Sequence, residues 1–285
     1  MSSSAVTPFV SESGFATAAD GRDLYVGSAE IEQVYLLVLA CSGKTGGYCV
    51  AGHRVYPLAG GNWHSDGEWL RPVPDDGSLC GALSEQQIIC SNGQRLKVGD
   101  VVLLQVYAGA GVLGQPENRV VVPGVWHFVQ EVNSRMIAAL AERPAHIWND
   151  WAEPTNRVST GIVQQGRVEE SLLLIQPQNL VFELSYTTNQ WDGTARKQTS
   201  AAFDYNGQHY SHIRVTCPLL GRVFRNQFPG LDEAPVQTRL RKGDGYVLCM
   251  SLTPEFRGKH YKLVASVFDH DGYLLDNWIR SARGV

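Results

Sequence analysis

The sequence predicts a mainly β protein made of two small β-barrels joined by a helix and packed as one compact unit. Three observations carry this reading: short apolar runs bounded by turn residues recur along the chain, a helical period occurs in only one segment near the middle, and about five strand-like runs lie on either side of it. Glycine is frequent, 29 of 285 residues, which suits a chain with many turns. Hydrophobic residues make up 44% and charged residues 18%, enough apolar surface for a buried core and too much for a disordered chain.

Residues 1–33 read as a flexible arm rich in Ser, Ala and Thr, without the basic start and apolar centre of a secretory signal. The first barrel is expected over 34–130. It opens with the buried-strand run VYLLVLACS, turns through a glycine-rich GKTGG and returns as YCVAGHRVYPL. WLRPV (69–73) reads as a short strand closed by its proline. Asn92-Gly93 marks a tight turn. Gly99-Asp100 introduces a strand apolar on both faces, and RVVVPGVWHFV adds a last one.

From Glu131 the period changes. Val132, Met136, Ile137 and Leu140 fall at helical spacing and Pro144 stops the run, so residues 131–154 read as a connecting helix and linker. The second barrel is expected over 155–285, with strands in SLLLIQP, LVFELSY, SAAFDYNGQHYSHIRVTC, GYVLCMSL and YKLVASVFDHDGYLL. Asn206-Gly207 is a strong hairpin signal there. Residues 218–245, rich in Arg, Gly and Pro, read as a long loop.

No run of eighteen apolar residues exists, so the expectation is a cytoplasmic protein with no membrane partner. The six cysteines then read as buried thiols. Net charge is −4, but it is uneven: residues 196–262 hold eleven Lys/Arg against five Asp/Glu, a local net of +6, on a remainder of −10. The second barrel is therefore expected to carry a basic surface, which suits an anionic partner.

Signals for catalysis are weak. Ser42-Gly43-Lys44-Thr45 suggests a phosphate loop, but Val38 stands where its first glycine belongs and Gly46-Gly47 follow where a helix should start. No CxxC pair occurs, and His209 and His212, at odd spacing in one strand, should face opposite ways, so no metal and no cofactor is expected. GxSxG is absent as well. The better leads pair rings with cations: Trp69 shares a strand face with Arg71, while Phe203, Tyr205 and Tyr210 lie near Arg196-Lys197, and Tyr261 precedes Lys262. Arg157 with Ser159 offers two kinds of anion donor.

In order along the chain, Ser42-Gly43-Lys44, Gly46 to Gly52, WLRPV, Gly81 to Ser84, Gly99 to Val102, Gln115 to Asn118, Trp126, Arg157-Val158-Ser159, SLLLIQP, Phe203 to Gly207, Val215-Thr216 with Pro218, and YKLVASV resemble the bacterial dual OB-fold domain family over about residues 34–268. The resemblance implies two OB-like barrels and a nucleic-acid-associated binding module. It marks Lys44, Arg71, Gln115, Glu117, Asn118, Arg157, Ser159, Thr216 and Lys262 as matched polar positions. Cys217 departs from the family pattern, which has an acidic residue before the proline.

Three readings follow. The first is non-catalytic binding of single-stranded or structured nucleic acid through Trp69, Arg71, Tyr205, Tyr210, Arg214 and Lys262, with Lys44, Arg157 and Ser159 as further anion contacts. The second is an adaptor for a protein partner in a defence or nucleic-acid-processing system. The third is a small-nucleotide receptor or enzyme, which requires the five polar groups Lys44, Arg71, Glu117, Asn118 and Arg157 to converge in one deep pocket, with Gln115 and Thr216 as further pocket candidates.

Overall fold

The structure, a computed structural model, describes residues 16–17, 23–24, 30–44, 46–76, 81–109, 111–188, 195–221, 238–243 and 245–269. Most of the expected N-terminal arm lies outside them. Within it, β1 (Ala16–Thr17) pairs with β2 (Asp23–Leu24), and Ile31 already begins β3.

The first barrel is built from β3 (Ile31–Lys44), β4 (Gly47–Pro57), the short β5 (Trp63–His64), β6 (Trp69–Val73), β7 (Asp100–Tyr107), β8 (Asn118–Val120) and β9 (His127–Glu131). Sheet order is β8-β6-β4-β3-β7-β9, with β5 attached to β4. β6 and β8 run parallel, Arg71 opposite Asn118. Just past β8 the chain reaches β7, where Val121 bridges Val106 and Val122 N–H donates to Gln105 O at 2.9 Å. That contact closes five strands in the spatial order first, second, third, fifth, fourth, a small Greek-key barrel of the OB kind. One glycine is indispensable to its curvature: a Cβ on Gly52 would sit 1.9 Å from Leu37 O, where β4 crosses β3 beside a register shift.

The connecting helix is shorter than the sequence period suggests. α1 spans Ser134–Ala139, entered through Asn133, whose side chain accepts from Met136 N–H at 2.9 Å. Beyond it the backbone extends, and Glu142 pairs with Leu174 of the second barrel (N–H to O 2.6 Å). The last helical carbonyls are met locally by Leu140 N–H and Ala141 N–H, and the chain then leaves to pair with the second barrel.

The second barrel repeats the topology. Its strands are β10 (Arg157–Ser159), β11 (Leu172–Ile175), β12 (Gln178–Thr188), β13 (Ala195–Tyr205), β14 (Gln208–Val215), β15 (Thr238–Gly243), β16 (Tyr246–Leu252) and β17 (Lys259–Asp269), with α2 (Thr160–Gln164) after β10. β14 and β17 are parallel, β12 pairs with β15, and β16 pairs with β17. β15 and β16 both take the fourth-strand place, β15 against β12 and β16 against β17, which closes the barrel. β15 lies inside the segment read from sequence as a loop. Its basic residues hid the strand, while 222–237 lie outside the described residues.

The barrels share a core. Leu172, Leu174, Val247, Cys249, Ala265 and Phe268 join the apolar cluster of the first barrel, while Leu173, Ile175, Leu248, Met250, Val264 and Val267 fill the second. Along β11, β16 and β17, alternate side chains thus point into different barrels, which is why these strands are apolar on both faces. The described cysteines, Cys41, Cys49, Cys90, Cys217 and Cys249, are free thiols, and Cys80 lies outside the described residues. Burial pushes Cys41 and Cys90 up to about 12. No helix among the described residues is long and apolar enough to cross a membrane.

Candidate nucleic-acid interface

Four of the sequence-marked polar residues do converge, but on one another. The parallel pairing of β6 with β8 sets Arg71 beside Glu117 and Asn118. The Arg71 guanidinium lies 3.0 Å from Glu117 Oε1 and donates to Ser171 Oγ (2.9 Å), Ser251 Oγ (3.4 Å) and Asn118 Oδ1 (3.5 Å). Ser171 Oγ–H donates to the Glu117 carboxylate through a short contact, and Ser171 N–H adds a second bond at 3.4 Å. Asn118 Nδ2–H donates to Gln115 Oε1 (3.2 Å), and Gln115 Nε2–H reaches Leu252 O across the barrel boundary (3.3 Å). All four side chains are buried. They form a latch between barrels, with no space for a ligand between the partners named.

The outward face of β6 is also covered at Trp69. The indole is 5% exposed and donates to Glu142 Oε1 at 2.8 Å, with the His53 ring edge-on to it at 4.3 Å between centroids. Glu142 additionally faces His53 Nε2 at 3.4 Å and accepts from Leu174 N–H at 3.3 Å. In OB barrels the second and third strands usually carry the ligand face. In this first barrel, Trp69 and Arg71 of the third strand are packed under the linker and the second barrel.

The rings expected on the second barrel point inward. Tyr205 gives its hydroxyl to Pro144 O (2.9 Å), and Tyr210, 1% exposed, stacks on Phe203 at 5.4 Å and donates to Gln208 Oε1 (3.0 Å). Lys262 lies within the same interior, 2% exposed, its ammonium 5.2 Å from the Tyr210 ring centre. Desolvation lowers it to about 8, against a smaller opposing pull from Asp150. Its position inside the barrel keeps it from surface phosphates.

The structure places the remaining candidates apart. Lys44 ends β3 at the hairpin to β4. Thr216 Oγ1–H donates to Val264 O at 3.4 Å. Arg214 is exposed on β14. His209 and His212 are both exposed, against the alternation expected from sequence. The pairs Ala201–Ile213 and Phe203–Tyr210 leave one extra residue on β14, and His212 takes φ +55°; this bulge returns both rings to the outside.

Arg157 and Ser159 lie on β10, paired to Tyr261 and Lys259 of β17. Ser159 N–H donates to Asp150 Oδ2 (2.8 Å), which helps hold the Asp150 carboxyl below its usual range against the opposing effect of burial. Arg157 Nε–H donates to Glu153 Oε2 at 2.8 Å, and Lys259 donates to the other carboxylate oxygen. These two contacts hold Glu153 below the usual carboxylate range, Lys259 being the larger influence.

Sequence reasoning missed the two rings around this cluster. Trp151, two residues before Glu153 in the Asp150–Glu153 turn, is 74% exposed, with His146 edge-on at 6.0 Å. Phe256 is 57% exposed in the hairpin between β16 and β17, bridged to Lys259 and with the Arg257 guanidinium 5.2 Å from its ring centre. That hairpin joins the fourth and fifth strands, a loop position through which OB barrels hold oligonucleotides. A signal was present in each case: a Trp among Asn, Asp, Glu and Pro, and a Phe inside a Pro-to-Gly turn, have no apolar neighbour at strand spacing to bury them. Locally, Arg157, Arg257 and Lys259 are matched in number by Asp150, Glu153 and Glu255, so the patch is aromatic with balanced charge. Among the described residues, no group of three His, Cys, Asp or Glu side chains is placed to hold a metal ion.

Two closed barrels of one topology, fused through a common core, define a tandem OB protein. The dual OB-containing domain family model matches residues 34–267, and the chain belongs to that family. Among solved structures, a deletion mutant of the single-stranded DNA binding protein from Thermus aquaticus aligns at 12% identity, covering 84% of this chain and 92% of that one, with a TM-score of 0.18. No curated protein matches.

Proposed function

We propose that the chain binds single-stranded nucleic acid, without catalysis, on the outer surface of its second barrel. The observation that carries this reading is the pair of exposed rings linked to the Arg157–Glu153–Lys259 cluster: Trp151 in the turn that carries Glu153, and Phe256, bridged to Lys259 in the loop between the fourth and fifth strands. Every base has a π-face, so two solvent-facing rings serve any sequence, and Arg257 over Phe256 and Lys259 bridged to it supply cations beside one of them. Arg214, His209 and His212 extend the polar surface along β14. Trp69, Arg71, Tyr205, Tyr210 and Lys262 serve instead to fix the barrels and their linker.

The test is fluorescence anisotropy with a labelled oligo-dT strand. Base–aromatic stacking is worth about 1–3 kcal/mol per base, so Trp151→Ala and Phe256→Ala should each weaken binding by about tenfold. Trp69→Phe should leave affinity unchanged. No binding by the parent protein at low salt, or binding indifferent to both ring truncations, removes this reading.

A further inference from the structure

One cation pair of the exposed patch, Arg157 with Lys259, is already occupied by a carboxylate of the same chain. Glu153 bridges Arg157 and Lys259, which project from neighbouring strands, and the Asp150–Glu153 turn delivers it to that position. A carboxylate between a guanidinium and an ammonium reproduces the charge and oxygen placement of a phosphodiester held by the same two groups. Glu153 engages Arg157 only through Nε in the contacts described above, and a guanidinium presents five N–H donors in a fork. The fork therefore retains capacity for a ligand with more oxygens than a carboxylate. The tie is also partly open to water: the Arg157 and Lys259 side chains are 35% and 31% exposed.

From this we infer that Glu153 occupies a phosphate subsite, and that a phosphate of the bound strand replaces its carboxylate between Arg157 and Lys259. The inference rests on the single-strand reading and adds its mechanism. Displacing Glu153 releases one of two ties on the turn that carries the exposed Trp151, the other being Asp150 to Ser159 N–H, so phosphate capture and adjustment of the ring are coupled. The parent protein then gains little from counterion release at this subsite, because the new ion pair there replaces an internal one. Its binding is dominated by stacking and falls only shallowly with salt.

Glu153→Gln tests this, with Glu153→Gln/Arg157→Ala as its partner. Oligo-dT affinity is measured by anisotropy over a salt series, and the melting temperature is followed against pyrophosphate for the parent and both variants. E153Q should bind the strand about fivefold tighter at low salt, the size of one surface ion pair no longer competing. Its log–log salt slope should be steeper by about 0.7, one more phosphate neutralised. Pyrophosphate should raise its melting temperature saturably, by about 2 °C or more, and should not do so for the double variant. An unchanged or weaker strand affinity with an unchanged slope overturns the proposal, as does an E153Q melting temperature indifferent to pyrophosphate. If E153Q responds to pyrophosphate while neither protein binds oligo-dT, the phosphate subsite stands and the single-strand function falls.

Discussion

Replacing Arg71 with alanine tests whether the polar residues that the family pattern marks form a ligand pocket or a latch. Arg71 and Glu117 have side chains 9% and 4% exposed. Removing the guanidinium leaves the Glu117 carboxylate buried with only the Ser171 bonds, and takes a partner from Ser251 and Asn118. Breaking a buried pair from one side costs about 3–5 kcal/mol, a large share of the roughly 5–15 kcal/mol that holds a domain folded. R71A should therefore lower the urea-derived stability by about 4 kcal/mol. R71M/E117M removes both charges and keeps much of the volume. It should recover most of that loss, short of the parent by about 1 kcal/mol for each polar group left without its partner. The double-mutant cycle should show a coupling above about 2 kcal/mol, while the oligonucleotide affinity of the folded double variant matches the parent's. If R71A unfolds within about 1 kcal/mol of the parent, or if the single losses simply add, the latch account fails. If the stable double variant loses strand binding, these residues are part of a site after all.

Three further outcomes follow from the same packing. Glu142 serves Trp69, His53 and Leu174 N–H, so E142A should cost about 2–3 kcal/mol in urea unfolding, and a loss below about 0.5 kcal/mol would show the carboxylate to be dispensable. Lys262 is held at about 8 by burial against 10.5 when unfolded, so the unfolded chain binds more protons between those values. The parent should thus gain up to about 3 kcal/mol relative to K262M as pH rises from 8 to 10.5, seen in paired urea melts, and a constant difference would contradict the buried-ammonium assignment. Asn133→Ala should cost about 1 kcal/mol through loss of the α1 cap, read by thermal melting.

The strands were legible because each barrel alternates or runs apolar between glycine turns. VYLLVLACS and YKLVASV became β3 and β17, and Asn206-Gly207 became the β13–β14 turn. What covers the outside of a strand was harder to read. The apolar runs LLLI of β11 and VLCM within β16 do state that both faces are buried, but not that the second face meets another barrel. For that reason Trp69 and Arg71, sharing a face as their spacing predicts, turned out to face the linker and the second barrel. His212 was obscured by a bulge, since the extra residue between the Phe203–Tyr210 and Ala201–Ile213 pairs reverses the side on which its side chain lies. Trp151 was hidden differently: it stands in a turn whose position depends on Glu153 reaching Lys259, 106 residues further along the chain.

Photocrosslinking decides most directly where a strand lies. An oligonucleotide carrying 5-iodouracil, irradiated with the protein and digested for mass spectrometry, joins bases to the rings on which they stack. Adducts are expected at Trp151 and Phe256, suppressed by unlabelled strand and lost in W151A/F256A. Adducts on the first barrel, or capture that persists undiminished in the double variant, would contradict it.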